Sequence, residues 1–169
     1  MAMPKTLANC NLFGNGESYI GQVVEVKLPT LTRLMEDYRA GGMNGPVKID
    51  NGQDAIEMEA KFGGFMRSVL QQYGATRHDA VQWRFAGAYK RDDTGGVDSV
   101  EVVTRGRYSE VDLGSAKPGE ATEFTAKFAC SYYKLMVNGV AVIEIDLVNM
   151  IEIVNGVDLL AEQRRAIGI

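Results

Sequence analysis

Asn138–Gly139 constrains this chain more than any other feature. It separates two alternating apolar runs, Glu120–Val137 and Val140–Met150. Both residues tolerate the positive φ of a type I′ turn, so the pair predicts a tight β-hairpin. Upstream, the polar tip Arg91–Gly96 joins Val81–Lys90 to Val97–Leu113, and the looser Gly114–Gly119 leads into Glu120. The stretch from Val81 to Met150 therefore reads as a four-stranded antiparallel meander.

Its face pattern is specific. Val81, Trp83, Phe85 and Tyr89 share one side; so do Val100, Val102, Thr104 and Tyr108; so do Phe124, Ala126, Phe128 and Cys130. After Cys130 the phase slips, and Tyr133, Leu135 and Val137 become the apolar set. A one-residue slip flips every later side chain, so a bulge or bend is expected there, with the strand passing from one sheet to a packed second sheet. In the next run Ile143, Ile145 and Leu147 oppose Glu144 and Asp146.

The first half is more mixed. Cys10–Phe13 and Tyr19–Leu28 read as a hairpin, with Ile20, Val24, Val26 and Leu28 inward, ended by Pro29. Thr30–Ala40 places Leu31, Leu34, Met35 and Tyr38 at helical spacing and predicts a short helix, with a strand as the alternative over Leu31–Arg33. Gly41–Gly52 combines glycines, Pro46 and two Asn-Gly pairs, and is expected to be an irregular binding arm carrying apolar Met43, Val47 and Ile49. Ala55–Phe62 alternates strictly, with Ile56, Met58, Ala60 and Phe62 against Glu57, Glu59 and Lys61. Phe65–Gly74 reads as an amphipathic helix on Phe65, Val69 and Tyr73, and Asn155–Ile167 as a last helix with Val157, Leu160, Ala161 and Ile167 inward. The plan is a mainly β fold with two short helices (α+β): a two-sheet β-sandwich or partly open barrel in one domain spanning 1–169.

The chain offers little chemistry. The only histidine, His78, sits in a polar turn beside Asp79, which adjacency usually points away from it. Two distant cysteines, Cys10 and Cys130, make neither a metal-ligand spacing nor a redox pair and read as small buried hydrophobes. The carboxylate pairs Glu57/Glu59 and Glu144/Asp146 look like solvated strand faces, and no glycine loop matches a phosphate-binding fingerprint. No cofactor, metal or catalytic residue is expected. The net charge of −4 argues against stable nucleic-acid binding, though not against DNA sliding past a weakly acidic wall. The N-terminus lacks the apolar core of a signal peptide, which predicts synthesis in the cytoplasm. What remains is a non-enzymatic β domain with a sticky arm and long open strand edges. Several copies closing a larger barrel in a ring would satisfy both, with charged faces wetting the lumen.

Longer motifs sharpen this. Leu28–Arg33, Asp37–Gly45, Arg84–Gly87, Arg91–Gly95, Val102–Arg107, Glu144–Asp146, Asn149–Glu152, Val154–Asp158 and Arg164–Gly168 resemble the major tail tube proteins of contractile-tailed phages, including the tube proteins of R-type pyocins. The resemblance implies hexameric rings whose strands join into one inner β-barrel and which stack into a hollow tube. It implies a sheath outside that drives the tube through a target envelope, a baseplate or initiator, and a tape-measure protein. It places the chain in a virion or released tail-like particle. It makes 41–52 an arm toward neighbouring subunits, with Met43, Asn44, Gly45, Val47 and Ile49 at the contact. Glu57, Glu59 and Lys61, then Glu144 and Asp146, are the lumen-facing candidates, and the helix Phe65–Tyr73 a candidate sheath surface. The alternatives are a type VI secretion tube protein and a small-ligand-binding β-barrel.

Overall fold

The computed structural model describes residues 2–169. The strands are β1 Lys5–Gly14, β2 Glu17–Ser18, β3 Val23–Lys27, β4 Arg33–Tyr38, β5 Val47–Gln53 and β6 Ile56–Phe62. After a short helix, α1 Arg67–Gln71, come β7 Val81–Arg91, β8 Val97–Asp112, β9 Phe124–Val137 and β10 Val140–Asp146. The chain ends with β11 Ile151–Val154, β12 Val157–Asp158 and α2 Ala161–Ile167. No helix among the described residues is long and apolar enough to cross a membrane.

The meander forms as expected, from β7 to β10, with Asn138 and Gly139 at φ 50° and 79° in the tight turn. The phase slip is a β-bulge. Arg105 lies opposite Tyr132 and Gly106 opposite Cys130, so Ser131 has no counterpart on β8. On its other side β9 pairs with β6 from Phe124 to Cys130, then with β10 from Tyr132 to Val137. One strand thus serves two sheets: a short one, β3–β6–β9–β8, and a long one, β2–β1–β7–β8–β9–β10–β11–β12. The freed groups at the bulge are satisfied. The Ser131 hydroxyl lies 3.3 Å from the Arg105 and His78 carbonyls, and the Ser131 carbonyl accepts from the Leu147 N–H at 3.0 Å.

The two sheets close over a core of Leu12, Ile56, Met58, Phe62, Trp83, Phe85, Phe124 and Phe128. Trp83 from the long sheet stacks on Phe128 from the short one, 4.8 Å between centroids and 7° from parallel. Its indole N–H donates to the Tyr108 hydroxyl at 2.9 Å, so neither buried polar atom is orphaned. Tyr19, Phe62 and Phe124 continue the cluster edge to face, each such pair adding about 0.5–1.5 kcal/mol beyond area burial.

Six sequence expectations give way. Residues 33–38 are a strand, not a helix: with no core to receive a helical stripe, pairing of Tyr38 with Val47 and Glu36 with Ile49 decides the local structure. For the same reason 47–53 is a strand, bulged beside Gly52, and only 39–46 is a loop. The predicted hairpin between Cys10–Phe13 and Tyr19–Leu28 is confined to the two residues of β2; β3 crosses to the short sheet and pairs with β6. A bulge at Val24 shifts the phase of β3, so Val23 and Val26 pack on the core while Ile20 and Val24 are exposed. The middle helix lasts five residues and buries Met66 and Val69, leaving Phe65 and Tyr73 outside. Asn155–Gly156, at φ 51° and 80°, is a second tight hairpin turn joining β11 to β12, so Val157 and Ile167 are exposed and α2 is the short remainder. Cys130 is buried and Cys10 half-buried, both as free thiols; burial pushes the Cys130 thiol up to about 12.

A Cβ on Gly106 would collide with the backbone carbonyl of Ala129 across the bulge. Gly106→Ala is therefore expected to destabilise the subunit by about 1–3 kcal/mol or more. Gly64→Ala, whose methyl meets open space, is expected to leave the urea midpoint almost unchanged.

Candidate assembly surfaces

The residues that might have carried chemistry are absorbed by structure. His78 Nδ1 lies 3.0 Å from the Ser131 hydroxyl, while Asp79 is held by Arg77 at 3.0–3.1 Å rather than by the histidine. Ser131 is the bulge residue itself. Among the described residues no three His, Cys, Asp or Glu side chains come together to hold a metal.

The solvent face of the short sheet is charged and cross-linked. Register sets Lys27, Glu59, Lys127 and Glu110 side by side on β3, β6, β9 and β8, an alternating row across all four strands. Lys127 lies 3.2 Å from Glu110 and Lys61 3.4 Å from Glu25. The hydrogen bond to Glu110, above all, raises the Lys127 pKa. Glu57, Glu59 and Lys61 thus share one wall. Glu144 and Asp146 do not belong to it. Glu144 accepts a 2.8 Å hydrogen bond from Tyr132, whose phenol burial, and then this contact, push up to about 12. Asp146 accepts from the backbone N–H groups of Val148 and Asn149 and from the Asn149 amide at 2.7 Å. Burial alone would raise its pKa, but these bonds outweigh burial and hold it low. It is the cap of the turn into β11.

Both edges of the short sheet are open. β3 pairs only with β6, and β7 accompanies β8 only as far as Gly106, leaving 107–112 bonded on the β9 side alone. The four strands alternate in direction, so the two open edges run antiparallel to each other.

Between β3 and β6 stands the arm, the hairpin β4–β5. Opposed residues share a face, so register sorts its side chains. One face carries Arg33, Met35, Asp37, Lys48 and Asp50, with Lys48–Asp37 at 2.9 Å and Arg33–Asp50 at 2.8 Å. The other carries Leu34, Tyr38, Val47 and Ile49, all exposed, beside Glu36, which accepts from the Asn51 amide at 3.0 Å. The sequence reading named Val47 and Ile49 but missed Leu34 and Tyr38; their i, i+4 spacing suits a helix, and only the alternation Leu34–Glu36–Tyr38 signals the strand face. Asn44 and Gly45 lie at the tip. Met43 is tucked into it: its N–H donates to the Ala40 carbonyl and its sulfur accepts from the Ala40 N–H, both at 3.2 Å.

Arg33 pins the arm to the body. Its Nε reaches Asp50 on the arm and its Nη1 lies 2.5 Å from Glu152 on β11, a carboxylate only 8% exposed. Asp50 is held below its ordinary pKa by the Gly52 N–H first and by Arg33 second.

The described residues thus make a structural β subunit with a filled core, two open sheet edges and an apolar hairpin that nothing in the chain covers. The chain belongs to the phage tail tube protein FII family, which it matches over residues 4–168. It is 51% identical to the tail tube protein of Escherichia phage P2 over the full length of both chains. It is 39% identical to the major tail tube protein of Serratia phage KSP20, over 89% of this chain and 88% of that one. Its fold is similar to a chain of the sheath/tube terminator of PVC, an extracellular contractile injection system, with a TM-score of 0.61 at 10% identity, covering 79% of this chain and 96% of that one. A chain of the PVC sheath-tube complex gives 0.58, covering 79% and 91%.

Arg33→Ala strands the Glu152 carboxylate without its cation, and is expected to cost about 1–3 kcal/mol and to speed proteolysis within 40–46. Acid should loosen the same joint. The pKa of Asp50 is depressed, so its contribution is present above the ordinary aspartate value and is lost as pH falls through the lowered folded value. Proteolysis of the wild-type arm at falling pH is the measurement, with Arg33→Ala responding less steeply because only the Gly52 N–H still holds Asp50 low.

Proposed function

We propose that copies of this tail tube subunit close a six-fold ring by pairing β8 of one copy with β3 of the next. Parity supports this reading most directly. The two open edges of the short sheet run in opposite directions, so a rotated copy continues the antiparallel order without interruption. Closure removes the edges that would otherwise invite uncontrolled pairing, and a heterologous contact that closes gives a ring.

In this ring the solvent face of the short sheet lines the bore. Glu57, Glu59 and Lys61 lie on that wall, in rows where lysines alternate with carboxylates. Such a wall offers phosphates no uninterrupted basic track, so DNA passes without being held. Glu144 and Asp146 stay out of the bore and support the β10–β11 corner. The apolar arm face, with Val47 and Ile49 joined by Leu34 and Tyr38, meets a neighbouring copy; Asn44 and Gly45 lead its tip, and Met43 keeps the tip folded. Exposed Phe65, Arg67 and Tyr73 around α1 offer an outer surface to the sheath. Baseplate, initiator and tape-measure proteins complete the apparatus of a contractile phage tail. The tube acts mechanically, without catalysis.

Electron microscopy of the purified chain tests this. Hollow rods or six-fold rings are the expected result, and a monomer that never assembles under any condition overturns it. The bore assignment has its own check in assembled tubes lacking Cys10 and Cys130. Glu57→Cys is expected to react with a small maleimide but not with one coupled to a bulky carrier protein, whereas Val148→Cys reacts with both.

A further inference from the structure

The two open edges of the short sheet each carry one charge left over. Within the chain Lys61 already holds Glu25, and Lys127 already holds Glu110. Lys27, exposed at the end of β3, has no carboxylate partner among the described residues, and Asp112, exposed at the end of β8, has no basic one. Asp112 accepts the Gly114 N–H at 2.8 Å, which fixes its carboxylate at the strand end. Register sets both residues on the solvent face: Lys27 lies opposite Glu59, and Asp112 lies opposite Thr125, itself opposite Lys61. The core side ends unfinished in the same way. Val26 lies opposite Ala60 and Val111 opposite Ala126; the alanines are fully buried, the edge valines only half-buried. Leu113, just past β8, is half exposed.

These edges can meet in few registers. Core side chains stay with core side chains only when the shift is an even number of positions. With no shift, Glu110 of one copy faces Lys27 of the next, and the row Lys27–Glu59–Lys127–Glu110 closes on itself around the ring; a closed barrel needs a stagger instead. A shift of two in one direction, counted past the bulged Ser109, sets Lys27 against Arg107 and Glu25 against Glu110, both like charges. A shift of four carries Lys27 beyond the end of β8 or onto the stretch that β7 already covers. A shift of two in the other direction sets Lys27 against Asp112, Val26 against Leu113 and Leu28 against Val111. We infer that the ring seam is staggered by two residues in this direction, with Lys27 of one copy paired to Asp112 of the next. The inference rests on the ring reading and fixes the register of its seam. It joins the two leftover charges across antiparallel neighbours, where opposite charges stabilise and like charges do the reverse. It also extends the core across the seam, since Val26 and Leu28 both pack against the core of their own chain.

Charge reversal in two chains reads this out. Lys27→Glu alone leaves two carboxylates facing each other at every seam, and Asp112→Lys alone leaves two ammonium groups. Each alone is expected to lose its tubes while keeping the wild-type melting curve. Mixed in equal amounts, the two chains are expected to form tubes again, because six copies can alternate and every seam then carries opposite charges. Single variants that assemble as the wild type does, or a mixture that stays unassembled, overturn the inference. Rescue of Lys27→Glu by Glu110→Lys and not by Asp112→Lys also overturns it and leaves the ring reading standing. Failure of the wild-type chain to assemble is the separate failure of the ring reading. If either charge variant melts below the wild type, a cysteine pair decides. In a chain with Cys10→Ser and Cys130→Ala, Lys27→Cys with Asp112→Cys is expected to give, in oxidised tubes, a cross-linked ladder that ends at six copies. Directly opposed residues lie within disulfide reach, and residues two positions along do not. A ladder from Lys27→Cys with Glu110→Cys instead, or from neither pair, overturns the stagger.

Discussion

The subunit depends on one unpaired residue. Ser131, with nothing opposite it on β8, turns β9 by one position, so even-numbered side chains face the core before it and odd-numbered ones after it. That reversal lets one strand carry Phe128 into the interface with Trp83 and, a few residues on, Tyr133 into the same core from another sheet. Without the bulge the meander would continue as a single sheet with half its apolar face in water. Gly106 makes it possible: the backbones of β8 and β9 approach so closely that no side chain fits between them.

The same bend creates the open edges. β8 turns away from β7 at Gly106, and its last six residues are bonded on one side only. The chain therefore buries its aromatic core completely while leaving backbone donors and acceptors unused. A monomer gains nothing from such edges and risks aggregation. A ring subunit needs them, and needs them antiparallel, which an even number of alternating strands guarantees. Burial of the aromatic core is finished within the chain; in the proposed ring, hydrogen bonding along the open edges is finished between chains.

How legible this was depended on whether neighbouring residues or distant ones decided the outcome. The meander and its slip could be read because alternation is local, and the Asn138–Gly139 turn because its residues are named by the φ angles they must adopt. Asn155–Gly156 carries the same signal and forms the same turn, but the apolar residues after it fall at helical spacing, and that pattern masked it. Leu34 and Tyr38 were taken for a helix face because i, i+4 spacing is also two strand positions, doubled. Only the partner strand 47–53 breaks the tie, and 47–53 was itself obscured by the glycines before it. Val24 could not be placed because a bulge near a strand start leaves too few residues to show a change of phase. Glu57, Glu59 and Lys61 were found as one wall from alternation alone. That Asp146 is a turn cap depended on Val148 and Asn149 folding back onto it, which no periodicity records.

The arm shows how these levels combine. A lone two-stranded hairpin is marginal in water, and this one exposes four large apolar side chains on one face and Met35 on the other. It keeps its shape through its polar face, where Lys48–Asp37 and Arg33–Asp50 tie the strands and Arg33 reaches the buried Glu152. Exposed pairs contribute little each, but Glu152 lies out of water and cannot release Arg33 without cost. The apolar face is therefore held in place before any partner arrives. Pre-ordering lowers the entropy that must be lost on docking, so the contact can form quickly between copies that each present it only weakly. An arm left to fold on its partner would lose that ordering entropy at every addition. By placing the Arg33–Glu152 pair at the foot of the arm, the fold supplies rigidity where, in the proposed tube, the next copy needs it, while Met43 holds the tip folded.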